Sequence, residues 1–228
     1  SGSDTELRVY GIIEATVSQA SNQAGGTTAT GFQTAWFSGN RLGFDANHAL
    51  SSLGSKWGMS DLKVISKLEA EFEVATGAMD TSNVLFNRDA WVGLYAGKLG
   101  KITAGRQNTL TRDFTNNWAD PYSGAETTLK EGGYSNVNNH KHFIYYSGGP
   151  GGKTRYDSAL EWKKQWTENW ITGVAYKFGS TGPGGASIVN SGGAPGDFTK
   201  GSAQAVSVAY NRLQLPGGVT ANMNLSYN

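Results

Sequence analysis

Leu62-Lys63-Val64-Ile65-Ser66-Lys67-Leu68-Glu69-Ala70-Glu71-Phe72-Glu73-Val74 decides the fold. One alternate set is Leu62, Val64, Ser66, Leu68, Ala70, Phe72 and Val74; the other is Lys63, Ile65, Lys67, Glu69, Glu71 and Glu73. A period of two puts these sets on opposite faces of a strand, one apolar and one charged. The same stretch offers Leu62, Ile65, Leu68 and Phe72 at helical spacing, and Glu and Lys favour helices, so in isolation it reads either way. Its surroundings favour the strand. Leu7, Val9, Gly11, Ile13, Ala15 and Val17 alternate with Arg8, Tyr10, Ile12, Glu14 and Thr16. Val219, Ala221, Met223, Leu225 and Tyr227 alternate with Thr220, Asn222, Asn224 and Ser226. Local choices that agree with one another along the chain are evidence for a common architecture.

Further strands are expected at 36–46, 86–95, 101–107, 154–162, 170–178 and 204–211. Each candidate has about the length of a tilted membrane-spanning strand, roughly ten residues. Tyr10, Trp162, Trp166, Trp170, Tyr176 and Phe178 stand near strand ends, as aromatic girdles at two membrane interfaces would. Ordinary sheet aromatics are the alternative. Short turns are read at 96–100, 167–169 and 215–218, and long loops at 21–31, 108 to about 140, and 179–202. Short periplasmic turns alternating with long outer loops are a property of bacterial barrels. The stretch 140–152 reads either as a wall strand or as part of the long loop.

Composition narrows the function. Charged residues are only 16%, yet mean hydropathy is −0.41 and 32 of 228 residues are Gly. A large soluble core would give low charge with positive hydropathy, whereas a wall with one apolar and one polar face gives this combination. Cys is absent, which excludes thiol chemistry and Cys-based metal sites. A net charge of +1 gives no support for nucleic-acid binding. No apolar run approaches the roughly 20 residues of a spanning helix, so a membrane location requires strands.

Five segments in order resemble the Gram-negative general (non-specific) porin family, particularly its β-proteobacterial branch. Val9-Tyr10-Gly11-Ile12-Ile13-Glu14 resembles L-Y-G-x-I-D, and Ser38-Gly39-Asn40-Arg41-Leu42-Gly43-Phe44 resembles S-x-S-R-x-G-F. Residues 63–72 resemble K-A-x-x-Q-L-E-x-x-F, 86–94 resemble F-x-R-Q-A-Y-V-G-L, and 100–107 resemble G-T-V-T-L-G-R-Q. The resemblance implies an all-β fold, a 16-stranded antiparallel transmembrane barrel. It also implies a homotrimer in the bacterial outer membrane, in contact with lipid and lipopolysaccharide. The channel would be water-filled, need no cofactor and pass small hydrophilic solutes and ions, with a lean toward anions. Residues 1–228 would be one barrel domain, apparently incomplete at the C-terminus, since the alternation accounts for only about nine or ten strands.

In this family the third long loop folds inward, so 108–140 is expected to narrow the pore. The implied constriction residues are Arg41, Arg106 and Glu69 on the wall and Asp113, Asp120, Glu126 and Glu131 on the loop. Lumen-lining residues by parity are Arg8, Glu14, Lys63, Lys67 and Glu71. Strict alternation would turn Arg106 toward lipid with Ile102 and Ala104, unless a bulge or bend at Gly105 re-aims it. Gly11 and Ala15 are small outward residues suited to subunit packing, while the loop 77–83 is short for the latch that the family places on a neighbouring subunit.

Two other functions compete. A ten-stranded outer-membrane barrel protease or lipase would need a His with a carboxylate partner. Only His48, His140 and His142 exist, and no G-x-S-x-G element accompanies them. A soluble β-sandwich binding module would also alternate, but would not need Lys, Glu and Arg to converge on an interior. No catalytic residue and no metal site is expected.

Overall fold

The computed structural model describes residues 4–23, 25–34, 38–118, 154–179, 199 and 201–227. Nine antiparallel strands form one open sheet. They are β1 (Thr5–Ile12), β4 (Arg41–Ala49), β5 (Lys63–Glu71), β6 (Asp89–Ala96), β7 (Gly100–Asn108), β8 (Arg155–Gln165), β9 (Trp170–Lys177), β10 (Ala203–Leu215) and β11 (Val219–Tyr227), neighbours in that order. Strands β2 (Ala15–Gln23) and β3 (Thr27–Thr34) make a separate hairpin. Among the described residues there are also two short α-helices, α1 (Ser51–Lys56) and α2 (Leu110–Trp118), and a 3-10 turn at Pro216–Gly218. Among the described residues no helix is long and apolar enough to cross a membrane, which says nothing against strands doing so.

The register shows two faces. Residues directly opposite in a ladder share a face. One row runs Lys63, Tyr95, Lys101, Lys163, Gly173, Ser207, Ser226. The adjacent row runs Val64, Leu94, Ile102, Trp162, Val174, Val206, Tyr227 on the opposite face. The second face is apolar and open: Leu7 is 64% exposed and Leu225 is 72% exposed. Exposure on that scale over a whole sheet marks a surface meant for an apolar medium. The first face carries α2 and the buried polar groups, so it is the lumen side.

Within residues 62–74, Lys63–Glu71 form the strand β5, and its pairing with both β4 and β6 decides against the helix. Three expectations need correction. The alternation from Leu7 to Val17 is broken after Ile12, where β1 stops pairing with β4. The bend is held by Glu14, whose carboxylate accepts the Ser38 N–H at 3.0 Å. The expected long loop at 21–31 is instead a hairpin with Gly25 and Gly26 at its tip, both at positive φ, the geometry tight hairpin turns demand. The strand expected at 36–46 is shifted to Arg41–Ala49, and Ser38–Asn40 lies outside it. The expectation for 140–152 lies outside the described residues.

The core sits under α2. Leu110 and Phe114 are fully buried against Tyr156, Ala159, Ala175, Ala205 and Ala209. These wall residues are mostly small, and that is what lets a helix lie on the sheet. A Cβ on Gly173 would lie 3.0 Å from Leu110 Cδ2 and 3.2 Å from Phe114 Cε2. Burying two such side chains contributes about 1.5–3 kcal/mol each. Thr109 starts the helix, its hydroxyl accepting the Arg112 N–H at 3.2 Å.

Candidate pore constriction

Strands β4, β5 and β6 place a charged network on the lumen face. Arg88, immediately before β6, donates from Nε to Glu69 and from Nη1 to Glu71. Glu69 is 3% exposed and also accepts the Tyr10 hydroxyl at 2.6 Å. Tyr10 reaches it by lying across Gly43, where any Cβ would come within 2.2 Å of the ring. Lys67 lies 3.6 Å from Glu69 and 3.7 Å from Asp89. Gly39 serves Glu71 in the same way, since a Cβ there would overlap its carboxylate.

The arginines crowd around this network. Arg41 stands opposite Glu71 in the ladder and donates to the Gly39 carbonyl and the Ser38 hydroxyl rather than to an acid. It interacts electrostatically with Arg88 and with Arg112 of α2, besides Glu69 and Glu71. Arg155, at the start of β8, interacts with Arg112, Arg88, Arg106 and Asp89. Its Nε is buried without a hydrogen-bond partner among the described residues. Neither Arg41 nor Arg155 forms an ion pair among the described residues. Among the described residues, six cations, Arg41, Lys67, Arg88, Arg106, Arg112 and Arg155, stand with four carboxylates, Glu69, Glu71, Asp89 and Asp157, in this region. The balance of these described groups is positive.

Of the residues expected at the constriction, Arg41 and Glu69 come together. Arg106 does not join them directly. It stands opposite Ala90, in line with Leu68 of the apolar face. Its Nε donates to the Asn87 carbonyl at 2.8 Å and its Nη1 pairs with Asp157. The irregularity anticipated near Gly105 is present: Gly105 has φ 131°, and the β7–β8 register shifts beside it, where Ser158 has φ 52°. Asp113 lies on α2, but its carboxylate goes to Lys163 of β8 and accepts Asn108 Nδ2 at 2.8 Å. Burial alone would raise that carboxyl; the Lys163 charge and the Lys163 and Asn108 hydrogen bonds outweigh it and hold Asp113 below the usual carboxylate range. Asp120, Glu126 and Glu131 lie outside the described residues, as do His140 and His142.

The lumen-lining set divides. Arg8 pairs with Asp45, and Lys63 lies over the Tyr95 ring at 5.3 Å. Lys67, Glu69 and Glu71 form the network above, and Glu14 holds the bend after β1. Gly11, read as a packing surface, has a reason inside the chain: a Cβ there would come 2.7 Å from the Arg41 carbonyl oxygen. Ala15 belongs to the hairpin, not to the wall. His48 accepts or donates to the Thr5 hydroxyl at 2.7 Å. Among the described residues no cluster of three metal-ligating side chains occurs.

Sequence reading missed Arg155 and Lys163. Arg155 follows a long loop with no motif to mark it. Lys163 reads by parity as a lumen residue, but its partner lies 50 positions away.

The profile of the Gram-negative porin family matches residues 2–228. Among solved structures, the chain is similar to the anion-selective porin from Comamonas acidovorans, with a TM-score of 0.65 and 20% identity. That match covers 97% of this chain and 57% of the other, so the chain spans little more than half the length of that relative. No curated protein sequence matches. With its antiparallel sheet, apolar outer face and charged lumen face, the chain belongs to the Gram-negative porin family.

Proposed function

We propose that the chain forms wall and constriction of a water-filled outer-membrane channel for passive diffusion of small hydrophilic solutes and ions, with a preference for anions. The observation that carries the reading is the excess of arginine at one level of the lumen. Among the described residues neither Arg41 nor Arg155 forms an ion pair, and Arg112 on the loop helix lies in the field of both. A concentrated positive potential in a narrow aqueous gap raises the local concentration of anions and lowers that of cations. The anion-selective relative of the same fold supports the same sign. No bond is made or broken in this function, and no cofactor enters it.

Other expectations stand as parts of the proposal. The active species is a homotrimer embedded among phospholipid and lipopolysaccharide, and 108–140 is the constricting loop, with Asp120, Glu126 and Glu131 available to it. Arg106 contributes at the edge of the arginine cluster through its ion pair with Asp157.

The test is the reversal potential of the full-length protein in planar bilayers under a salt gradient. Arg41→Ala with Arg155→Ala is expected to shift it toward cations. A unit charge about 10 Å from a permeating ion in water is worth about 0.4 kcal/mol, or roughly a twofold change in permeability ratio per arginine. A folded double variant with the wild-type reversal potential would remove these arginines from the constriction.

A further inference from the structure

We infer that Lys163 is a positioning residue for ion selection: through Asp113 it sets the rotation of helix α2, and so presents Arg112 to the pore. This rests on the channel reading above. The apolar contact of Leu110 and Phe114 with the small wall residues fixes how closely α2 approaches the sheet. Asn224 Nδ2 adds a bond to the Phe114 carbonyl at 3.2 Å. The packing of Leu110 and Phe114 selects the face that α2 turns to the wall, and the ion pair adds a directional, charged constraint to it.

Lys163 is built for it. Its side chain is 17% exposed, and its ammonium lies 3.1 Å from Glu161, which is fully buried beneath it, while also pairing with Asp113. Glu161 anchors the lysine to the wall, and the lysine reaches up to the helix. Asn108 Nδ2 holds the other oxygen of Asp113 at 2.8 Å. Consecutive helical residues are about 100° apart around the axis. With Asp113 held against the wall, Arg112 is turned elsewhere, into the field of Arg41 and Arg155. The loop helix therefore turns its acid to the wall, while its base lies in the field of the lumen arginines.

The latch and a plain sum of charges predict different signs. If these groups act only as charges near the lumen, Lys163→Met lowers anion preference and Asp113→Asn raises it. If they form a latch, both variants release α2, displace Arg112, lower anion preference and raise single-channel conductance. Lys163→Arg keeps a cation able to reach Asp113 and should stay close to wild type. Asp113→Glu likewise keeps a carboxylate for Lys163 and leaves the Lys163–Glu161 contact untouched.

The experiment combines two readouts on the full-length protein. Hydrogen–deuterium exchange over 110–118 should rise by about tenfold or more in each single variant. It should stay near wild type in Lys163→Arg and Asp113→Glu. Reversal potentials should fall in the same direction for both singles. Unchanged exchange at α2, or opposite shifts of anion preference for the two singles, would overturn the latch. A wild-type protein that conducts no ions would instead sink the channel reading, with exchange alone then judging the contact.

Discussion

At the scale of the residue, the lumen network is tightly determined. Arg88 serves two carboxylates at once, and both Glu69 and Arg88 are nearly withdrawn from water. Breaking such a pair from one side leaves charge buried without a partner, which costs about 3–5 kcal/mol. Arg88→Met is therefore expected to lower stability by that amount, read as the urea midpoint of the detergent-solubilised protein at constant slope. A change below about 1 kcal/mol would mean that water reaches Glu69 and Glu71 freely. Gly43 is a second sensitive point. Gly43→Val would drive Tyr10 off its seat and break the bond to Glu69. Overpacking of this kind costs about 1–3 kcal/mol. Near-UV circular dichroism should report the displaced ring, and an unchanged spectrum would show that Tyr10 has another resting place.

Helix α2 is the element that lies on the lumen face of the sheet, and in the proposed channel it is what narrows the pore. Phe114→Ala removes its largest buried side chain, a truncation worth about 3–5 kcal/mol. The loss should appear as faster exchange confined to 110–118 with the strand ladders still protected; loss of protection across β8–β10 would make α2 part of the barrel core rather than an added element. The Asp113 carboxyl has a pH consequence. Its value in the folded protein is depressed, so its contribution is complete above the ordinary Asp range and is lost as pH falls through the depressed value. Around it stand Lys163 and Glu161 of β8, Lys101 of β7 and Arg112 of its own helix. Open-channel noise should accordingly rise only at pH values below the usual carboxylate range, and a rise near neutrality would assign it to another group. Little of this element was legible beforehand. Leu110-Thr111-Arg112-Asp113-Phe114 is short and holds Thr and Asp, both modest helix formers, and only the spacing of Leu110 and Phe114 hints at a packed face. The hairpin of β2 and β3 was hidden for a related reason: 21–31 is polar, and without an apolar set alternation gives no signal.

At the scale of the whole molecule, the strands were legible because each has one wet and one apolar face. Lys63 with Lys67 and Val64 with Leu68 read directly as opposite sides. Arg106 was not, because its setting depends on a register shift between β7 and β8 that no local pattern records. The constriction was half legible: Arg41 and Glu69 lie on regular strands, whereas Arg155 and the Asp113–Lys163 contact depend on chain segments far apart in sequence. The central claim is that the Lys63–Tyr95–Lys101–Lys163–Ser207 row faces an aqueous lumen and the Val64–Leu94–Ile102–Val174–Val206 row faces lipid. Single cysteines are informative because residues 1–228 contain none. Placed in turn at Arg8, Lys63 and Lys101, which share the lumen face, and at Val64, Leu94 and Val174, they are to be challenged in membrane-embedded full-length protein with a small, charged, membrane-impermeant thiol reagent. The first three are expected to react and the second three to resist until the membrane is dissolved. Reaction at Val64, Leu94 and Val174 with protection at Arg8, Lys63 and Lys101 would contradict the barrel's orientation and the channel with it.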